Sequence, residues 1–475
     1  MGATYITNQY YSTGIANPTI GAVYYVTYAY NIFYKFRPDQ KVKKKIKKMK
    51  QLFNFNLFAI LSAVFLFACK GNTELKDGYT TTLSFNPGEE TRIVEAFLSI
   101  KDNTSILLKQ GTYKFDNLSI AQVNHIRVKG EGFDKTILDF SDQSQGGEGI
   151  RITGVKGFTI DGLTIRDSKG DLIKINKSRD VAITNLHAVW KTADSTSGGY
   201  AIYPVLCKNV LIENCYAEGS SDAGIYVGQS DSVIVTKCRA AKNVAGCEIE
   251  NTAHAQVYDN EFYNNTAGFL IFDLPGLSQR GGYVKAYNNY IHDNNSRNFA
   301  KAGSFGTISG VGNASPGSGV IILAASNIEI YANRIINNNS SSITIASGFS
   351  VDDKAAEKIN GQYSPISTHV KIYDNTIQMG DAFPEPAYQH HIGKLLVAIE
   401  QKLNVQDALR KNKRIPFIMY DGFSSNILTG AKGANPDSIC ISQPGDNVFV
   451  NSDFINMAHP EKWRPDTNME PFTCK

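Results

Sequence analysis

Lys174, Tyr203, Tyr226, Glu248 and Leu270 recur at intervals of 22 to 29 residues, and two positions after each stand Asn176, Val205, Gly228, Glu250 and Phe272. Lys177, Gln229, Asn251 and Asp273 follow one position later. Set side by side, these side chains make a proton-transfer set. A Tyr or Lys can take a proton from a carbon beside a carboxyl group, and Glu248, Glu250 and Asp273 offer hard oxygen ligands for a Ca²⁺ ion that neutralises that carboxyl. Paired carboxylates can instead serve as acid and base in glycoside hydrolysis. Tyr203 and Tyr226 can stack on sugar rings in a protein that only binds. The candidate catalytic residues are therefore Tyr226, Glu248 and Lys174, with Tyr203, Gln229, Glu250, Asn251, Asp273 and Arg280 as candidate substrate contacts. The plainer alternative for Glu248 and Glu250 is a solvated strand edge.

Such a set forms only if a regular scaffold brings distant residues together. Eight segments share an alternating apolar pattern: "FTIDGLTI" from Phe158, "VAITNLHA" from Val181, "VLIENCYA" from Val210, "VIVTKCRA" from Val233, "AQVYDNEF" from Ala255, "VKAYNNYI" from Val284, "IEIYANRI" from Ile328 and "VKIYDNTI" from Val370. The base unit is 22 to 23 residues, lengthened by insertions, and alternation is strand periodicity. A second strand precedes the next start and is introduced by small residues, as in "AGIYVGQSD", "AGCEIENTA", "AGFLIFDLP" and "SGVIILAAS". Between the strands lie Asn, Asp, Gly and Ser, which accept tight or left-handed corners. One unit cannot bury its apolar side alone and must stack on its neighbours, which predicts a solenoid. A propeller needs about 40 residues per blade and is excluded.

Equivalent positions of successive coils stack at about 4.8 Å, so the repeat alignment also maps lateral contacts. One inward column reads Leu163, Leu186, Cys215, Cys238, Asn260, Asn289, Asn333, Asn375. Its four asparagines are expected to form a structural ladder, bonding their amides to one another and to backbone. Cys215 and Cys238 in the same column are expected to be buried thiols, because parallel neighbours fit disulfide geometry poorly. On the outward side, Tyr226 should lie roughly 5 Å from Glu248, and Lys174 roughly 14 Å from it. His187, His254 and His292 fall in or near corners, where a neutral or surface role is expected. The insertions 191–199, 274–282 and 297–317 can wall one side of a groove, and Arg280 and Arg297 within them can meet an anionic polymer.

The repeat resembles right-handed parallel β-helix proteins of the pectate-lyase-like kind, and most closely the exported β-helix-repeat lipoproteins of bacteria. The start, "ETRIVEAFLSIKDNTSILLKQGTYKF", resembles their capping helix (about 91–100), strand and Gly-Thr-Tyr turn, and "ICISQPGDNVFVN" resembles the tail of the lipoprotein group. The resemblance implies an all-β, right-handed, single-stranded parallel β-helix with an N-terminal capping helix and a small α-containing C-terminal extension. It implies no single chemistry, because this fold hosts lyases, hydrolases, epimerases and inert scaffolds. The Asp-Pro-His-Asp motif of alginate epimerases has only an echo in "FDLPG". The paired aspartates of polygalacturonases and the arginine motif of pectate lyases are not found. Relatives of the lipoprotein group tend to be encoded beside a second exported protein, which implies a protein partner as the alternative.

The expected division is a spurious or disordered extension over 1–48, a lipoprotein signal peptide over 49–68, a linker over 69–88, the β-helix over 89–381, and helical insertion plus C-terminal coils over 382–475. A Lys-rich stretch runs into the apolar segment 52–67 and ends in Leu-Phe-Ala-Cys69, the pattern of a lipid-attachment signal, too short to span a bilayer. Residues 1–68 hold nine of the 48 Lys and Arg but one of the 44 Asp and Glu, so processing at Cys69 leaves 39 basic against 43 acidic residues, a formal charge of −4. That balance excludes nucleic-acid binding and leaves the N-terminal lipid as the membrane contact. Cys440 and Cys474 can join in the oxidising environment such a leader implies, although spacing alone does not fix the pairing. The expectation is a monomeric, lipid-anchored protein of the bacterial cell envelope that binds an acidic polysaccharide, with lyase or epimerase action ahead of hydrolysis. A non-catalytic scaffold for another exported protein is the alternative, and Ca²⁺ is the one cofactor in view.

Overall fold

The computed structural model describes residues 78–301, 310–352, 354–406, 417–445 and 448–474. The expected extension over 1–48, the signal segment 49–68 and Cys69 lie outside them. Among the described residues the strands form two sheets, of twenty and eleven strands, in which each coil pairs in parallel with the next. A representative coil runs Asp231–Thr236, Arg239–Ala241, Ala245–Glu250, and the coil stacked on it runs Ala253–Tyr258, Glu261–Tyr263, Ala267–Phe272. The eight motif starts stack as one column from Phe158 to Val370, each lying beside the next coil's equivalent. Alternation explains the core: Val233 and Val235 point in and are buried while Ser232 and Ile234 point out. The chain forms a parallel β-helix because this burial requires stacked coils.

The corners follow from local backbone chemistry. The residue before each member of the asparagine and thiol column has a left-handed backbone, at Asn185, Asn214, Lys237, Asp259, Asn288, Ala332 and Asp374, with φ between 50° and 55°. Asn and Asp accept this conformation more readily than other residues, which accounts for the Asp-Asn and Asn-Asn pairs in the repeats. The next residue turns inward. Asn260 Nδ2 donates to Val235 O (3.0 Å) and to Asn289 Oδ1 (2.9 Å), which also accepts the Asn260 backbone N–H (3.1 Å). The pattern repeats from Asn289 to Asn333 and from Asn333 to Asn375, and ends on Gln443 Oε1. A second ladder, unread in the sequence, occupies the following corner: Asn243, Asn265, Asn294 and Asn338.

The helix begins earlier than expected. Thr81–Phe85 pairs with Thr104–Leu108, so coil structure starts inside the stretch read as linker, because "TTLSF" can hand its backbone groups to the neighbouring strand. Helix α1, Glu90–Leu98, buries Ile93 and Phe97 against the first coils. At the other end the coils continue past residue 381. Phe417–Tyr420 and Val448–Asn451 extend the eleven-stranded sheet, and Cys440–Ser442 extends the twenty-stranded one. Helix α2, His391–Gln406, is an insertion that buries Leu396, Ile399 and Leu403 with Phe383, Phe417 and Met419.

The C-terminal tail is held by a disulfide between Cys440 and Cys474, 34 residues apart. Closing a loop of that length stabilises by about 3 to 4 kcal/mol in the chain-entropy account. Cys474→Ser is therefore expected to expose the last coil to protease at urea concentrations where the disulfide-bonded chain resists, and equal resistance would contradict this role. Cys207, Cys215, Cys238 and Cys247 are buried free thiols.

Candidate functional site

The outward column of the eleven-stranded sheet reads Arg151, Lys174, Tyr203, Tyr226, Glu248, Leu270, Ile321, Thr344. Beside it run Thr153, Asn176, Val205, Gly228, Glu250, Phe272 and Leu323. Both columns point away from the coil interior, yet most of their length is covered. Tyr226 is 4% exposed, Glu248 2% and Glu250 8%, so these carboxylates are not a solvated strand edge. Tyr200, Leu274, Ala300, Val311, Ala314 and Tyr363 pack over them as a second apolar cluster. A two-residue period says which side of a strand faces out, but not whether an insertion folds back over it. Leu270 and Phe272, apolar at outward positions, are the sequence signal for this cover. Toward the N-terminal coils the face opens: Lys174 and Tyr203 are half-buried and Arg151 is exposed.

Beneath the cover lies a group of acids and phenols. The Tyr226 hydroxyl donates to Glu250 Oε1 at 2.8 Å, reaching across to the next coil. Gly228 permits this, since a β-carbon there would overlap the Tyr226 ring and hydroxyl. Glu248 and Glu250 stand two residues apart on the same strand and face the same way, so that burial, joined by the charge of Glu250, raises Glu248. Asp222, at the corner before the Tyr226 strand, adds its charge to the surroundings of Glu248 and Tyr200. The rings of Tyr200, Tyr203 and Tyr226 pack with centroids 4.4 to 4.9 Å apart. At the open end Lys174 Nζ lies 4.4 Å from the Tyr203 ring centre and 3.8 Å from Glu148, which Arg151 also grips.

Burial sets the protonation of this group. It pushes Glu248 well above the usual carboxylate range, helped by the charges of Asp222 and Glu250, and it raises Asp222 and Glu250 too. It lifts Asp171, which accepts the Tyr200 backbone N–H at 3.0 Å, to about 6. Burial also drives Tyr200, Tyr203 and Tyr226 upward. The phenols thus stay protonated near neutral pH, and Tyr226, expected as a base, is placed to donate a proton. Lys174, three coils from Glu248 in the register, belongs to the open end and not to the carboxyl pair.

Other expected contacts are engaged in holding loops. Asn251 is buried and clamps the 274–282 insertion, donating to Leu274 O and Gln279 O and accepting the Leu274 N–H. Gln229 accepts from the Ser278 N–H and hydroxyl. Arg280 pairs with Asp273 and lies over the Tyr363 ring. These three are structural, because the loop they fix lies where open groove was expected. Asp273, raised by burial to about 6, also accepts the Gly281 N–H, so its carboxylate is already occupied by protein donors. Among the described residues no group of three or more His, Cys, Asp or Glu side chains is arranged to hold a metal ion. His187 stacks on Phe133 at 3.8 Å and is held near pKa 4 by burial and by Arg239. His292 is fixed between Asp293 and Glu261. Asp222, Tyr200, Asp171, Glu148 and Arg151 went unread in the sequence. Asp222 and Tyr200 precede the strands that the alignment used, outside its columns.

Gly228→Ala is expected to force the Tyr226 ring off Glu250 and to destabilise by about 1 to 3 kcal/mol, the usual range for overpacking. A urea midpoint equal to wild type would show that the ring has room elsewhere.

Residues 148–280 match the family model described as a right handed beta helix region. That match, with the parallel coil-to-coil pairing, defines the class: the chain folds as a right-handed parallel β-helix. Solved structures similar to it include the A-module of mannuronan C-5 epimerase AlgE4 from Azotobacter vinelandii, at 14% identity and a TM-score of 0.42, covering 79% of this chain and 93% of that one. Pectate lyase Pel9A is similar at 14% identity and a TM-score of 0.38, over 65% of this chain and 80% of its own. An alginate lyase from Paenibacillus sp. str. FPU-7 is similar at 14% identity and a TM-score of 0.36, over 63% and 98%. No curated protein sequence matches the chain.

Proposed function

We propose that the protein is carried to the bacterial cell envelope by its leader, anchored through Cys69, and there binds an acidic polysaccharide and transfers a proton at the uronate C-5. The reading is carried by one observation: the hydrogen bond from Tyr226 to Glu250, beside the buried Glu248 on the same strand. Arg151 and Lys174 meet polymer carboxylates, and Tyr203 packs on a sugar face. The polymer enters past Tyr203 toward the acid pair.

The uronate carboxyl acidifies its neighbouring C–H, and ionised Glu250 takes that proton. Elimination then breaks the C-4–O bond, forms the C-4=C-5 double bond and returns a proton from Glu248 to the departing oxygen. Elimination uses one carboxylate that accepts and one acid that donates, the division that burial supplies here. Epimerisation takes its returning proton from solvent on the opposite face of the sugar, since Glu248 and Glu250 project from one side of the same strand.

A second reading is favoured by the cover over Tyr226 and Glu248: a non-catalytic scaffold whose partner is another exported protein. Incubating the protein with alginate and polygalacturonate, with and without Ca²⁺, and scoring unsaturated ends and epimer content separates the two. Either product supports the enzyme. No product and no binding, with a stoichiometric protein recovered from membranes, supports the scaffold.

A further inference from the structure

The corner leading from the eleven-stranded sheet to the next strand holds a shallow groove of about 550 Å³, lined by Lys156, Lys177, Arg179, Lys208, Gln229 and Gln279, with Asp231 at one end. Lys156, Arg179 and Lys208 are register neighbours on three successive coils, so their backbones repeat at about 4.8 Å. All three, and Lys177, are exposed. Elsewhere on the coils, exposed lysines find an acid on a neighbouring coil: Lys237 with Glu213 at 2.8 Å, Lys242 with Glu218 at 2.6 Å, Lys285 with Glu329 at 3.2 Å. In this corner the column supplies cation beside cation. Asp231, next to Lys208 in the register, is engaged by Ser232 and His254. Like charges directly opposite one another on paired strands destabilise, and four cations stand with one anion in this groove.

We infer that this groove is a binding subsite for a linear acidic glycan, distinct from the acid pair and set at the edge of the same coils that carry Arg151, Lys174 and Tyr203. Each uronate unit carries one carboxylate and advances by a distance comparable to one coil, so successive carboxylates meet Lys156, Arg179 and Lys208 in turn. Gln229 and Gln279 line the Asp231 end, where they hold the 274–282 loop. The subsite holds the polymer while the outer face works on it, and in this it rests on the acidic-polysaccharide reading.

The test is calorimetric titration of polygalacturonate and neutral dextran into the full protein and into the Lys156→Ser/Arg179→Ser/Lys208→Ser variant. Since these side chains are exposed, the variant should keep the wild-type circular dichroism and melting point. The expected result is at least a tenfold loss of polygalacturonate affinity at low salt, a weaker salt dependence, and no dextran binding by either protein. Equal affinity in the triple variant, or no polygalacturonate binding by wild type, would overturn the inference. Binding lost in the triple variant without any turnover by wild type would sink the catalytic reading and leave the subsite standing. Turnover with unchanged affinity in the triple variant would do the reverse.

Discussion

Asn289→Ala is expected to destabilise the protein by about 3 to 5 kcal/mol, because it strands several buried groups at once, each worth about 1 to 3 kcal/mol with partial relief by relaxation. Asn289 Oδ1 accepts both the Asn260 N–H and the Asn260 side-chain amide, while its own Nδ2 donates to Val257 O and Asn333 Oδ1. Removing it takes partners from groups on both flanking coils, Asn260 and Val257 on one and Asn333 on the other. Asn375 ends the described ladder on a side chain of the tail, so Asn375→Ala should cost less. Urea unfolding followed by circular dichroism checks the order, and an Asn289→Ala midpoint within error of wild type would mean the ladder is decoration. Leu163 and Leu186 fill the same column in earlier coils, which shows that the column accepts apolar residues when its neighbours make no polar demand.

Glu248→Gln is expected to stabilise the protein at pH 8 by about 2 kcal/mol, the cost of one poorly compensated buried polar group. The sign follows from linkage. An acid whose folded pKa is raised favours the folded state fully below its unfolded value and loses that contribution as pH rises through the folded value. Glu248, Glu250 and Asp222 are raised by burial, and Asp171 and Asp273 to about 6. The wild-type melting temperature should therefore fall as pH climbs from about 4.5 through 7 and above. Asp139, held near 2 by its bonds to Ser141 and Arg166 despite burial, works in the opposite sense but below this window. Melting curves of wild type and Glu248→Gln should coincide near pH 4.5 and separate toward pH 8. A wild-type melting temperature that rises across that interval would contradict the raised pKa values of these buried acids.

The coil register was legible because it is written in the most local signals, alternation and left-handed corners. A one-residue slip would turn every Val and Ile outward, so the alignment that stacks Phe158 to Val370 had little freedom. That register put Tyr226 beside Glu248 and Gly228 beside Glu250. What it did not contain was the cover. Ala300, Val311 and Tyr363 come from insertions without a period, and their return over the sheet is set by the apolar Leu270 and Phe272 beneath them. Hence Glu248 and Glu250, outward in the alignment, are buried acids with raised pKa values. For the same reason Gln229, Asn251 and Arg280 hold the 274–282 loop in place of a ligand. Asp222 and Tyr200 entered the site from corner and insertion positions that no column reaches. The second asparagine ladder was readable in principle, since Asn265, Asn294 and Asn338 stand five residues after Asn260, Asn289 and Asn333.

The most direct test of proton transfer at this face is to incubate the protein with polygalacturonate or alginate in deuterated water and measure deuterium at uronate C-5 together with unsaturated chain ends. Both epimerisation and elimination begin by removing that hydrogen. The account predicts one of the two signals from wild type, at least a hundredfold less from Glu250→Gln, and a smaller loss from Tyr226→Phe. No C-5 exchange and no unsaturated ends from wild type, or full activity in Glu250→Gln, would contradict it.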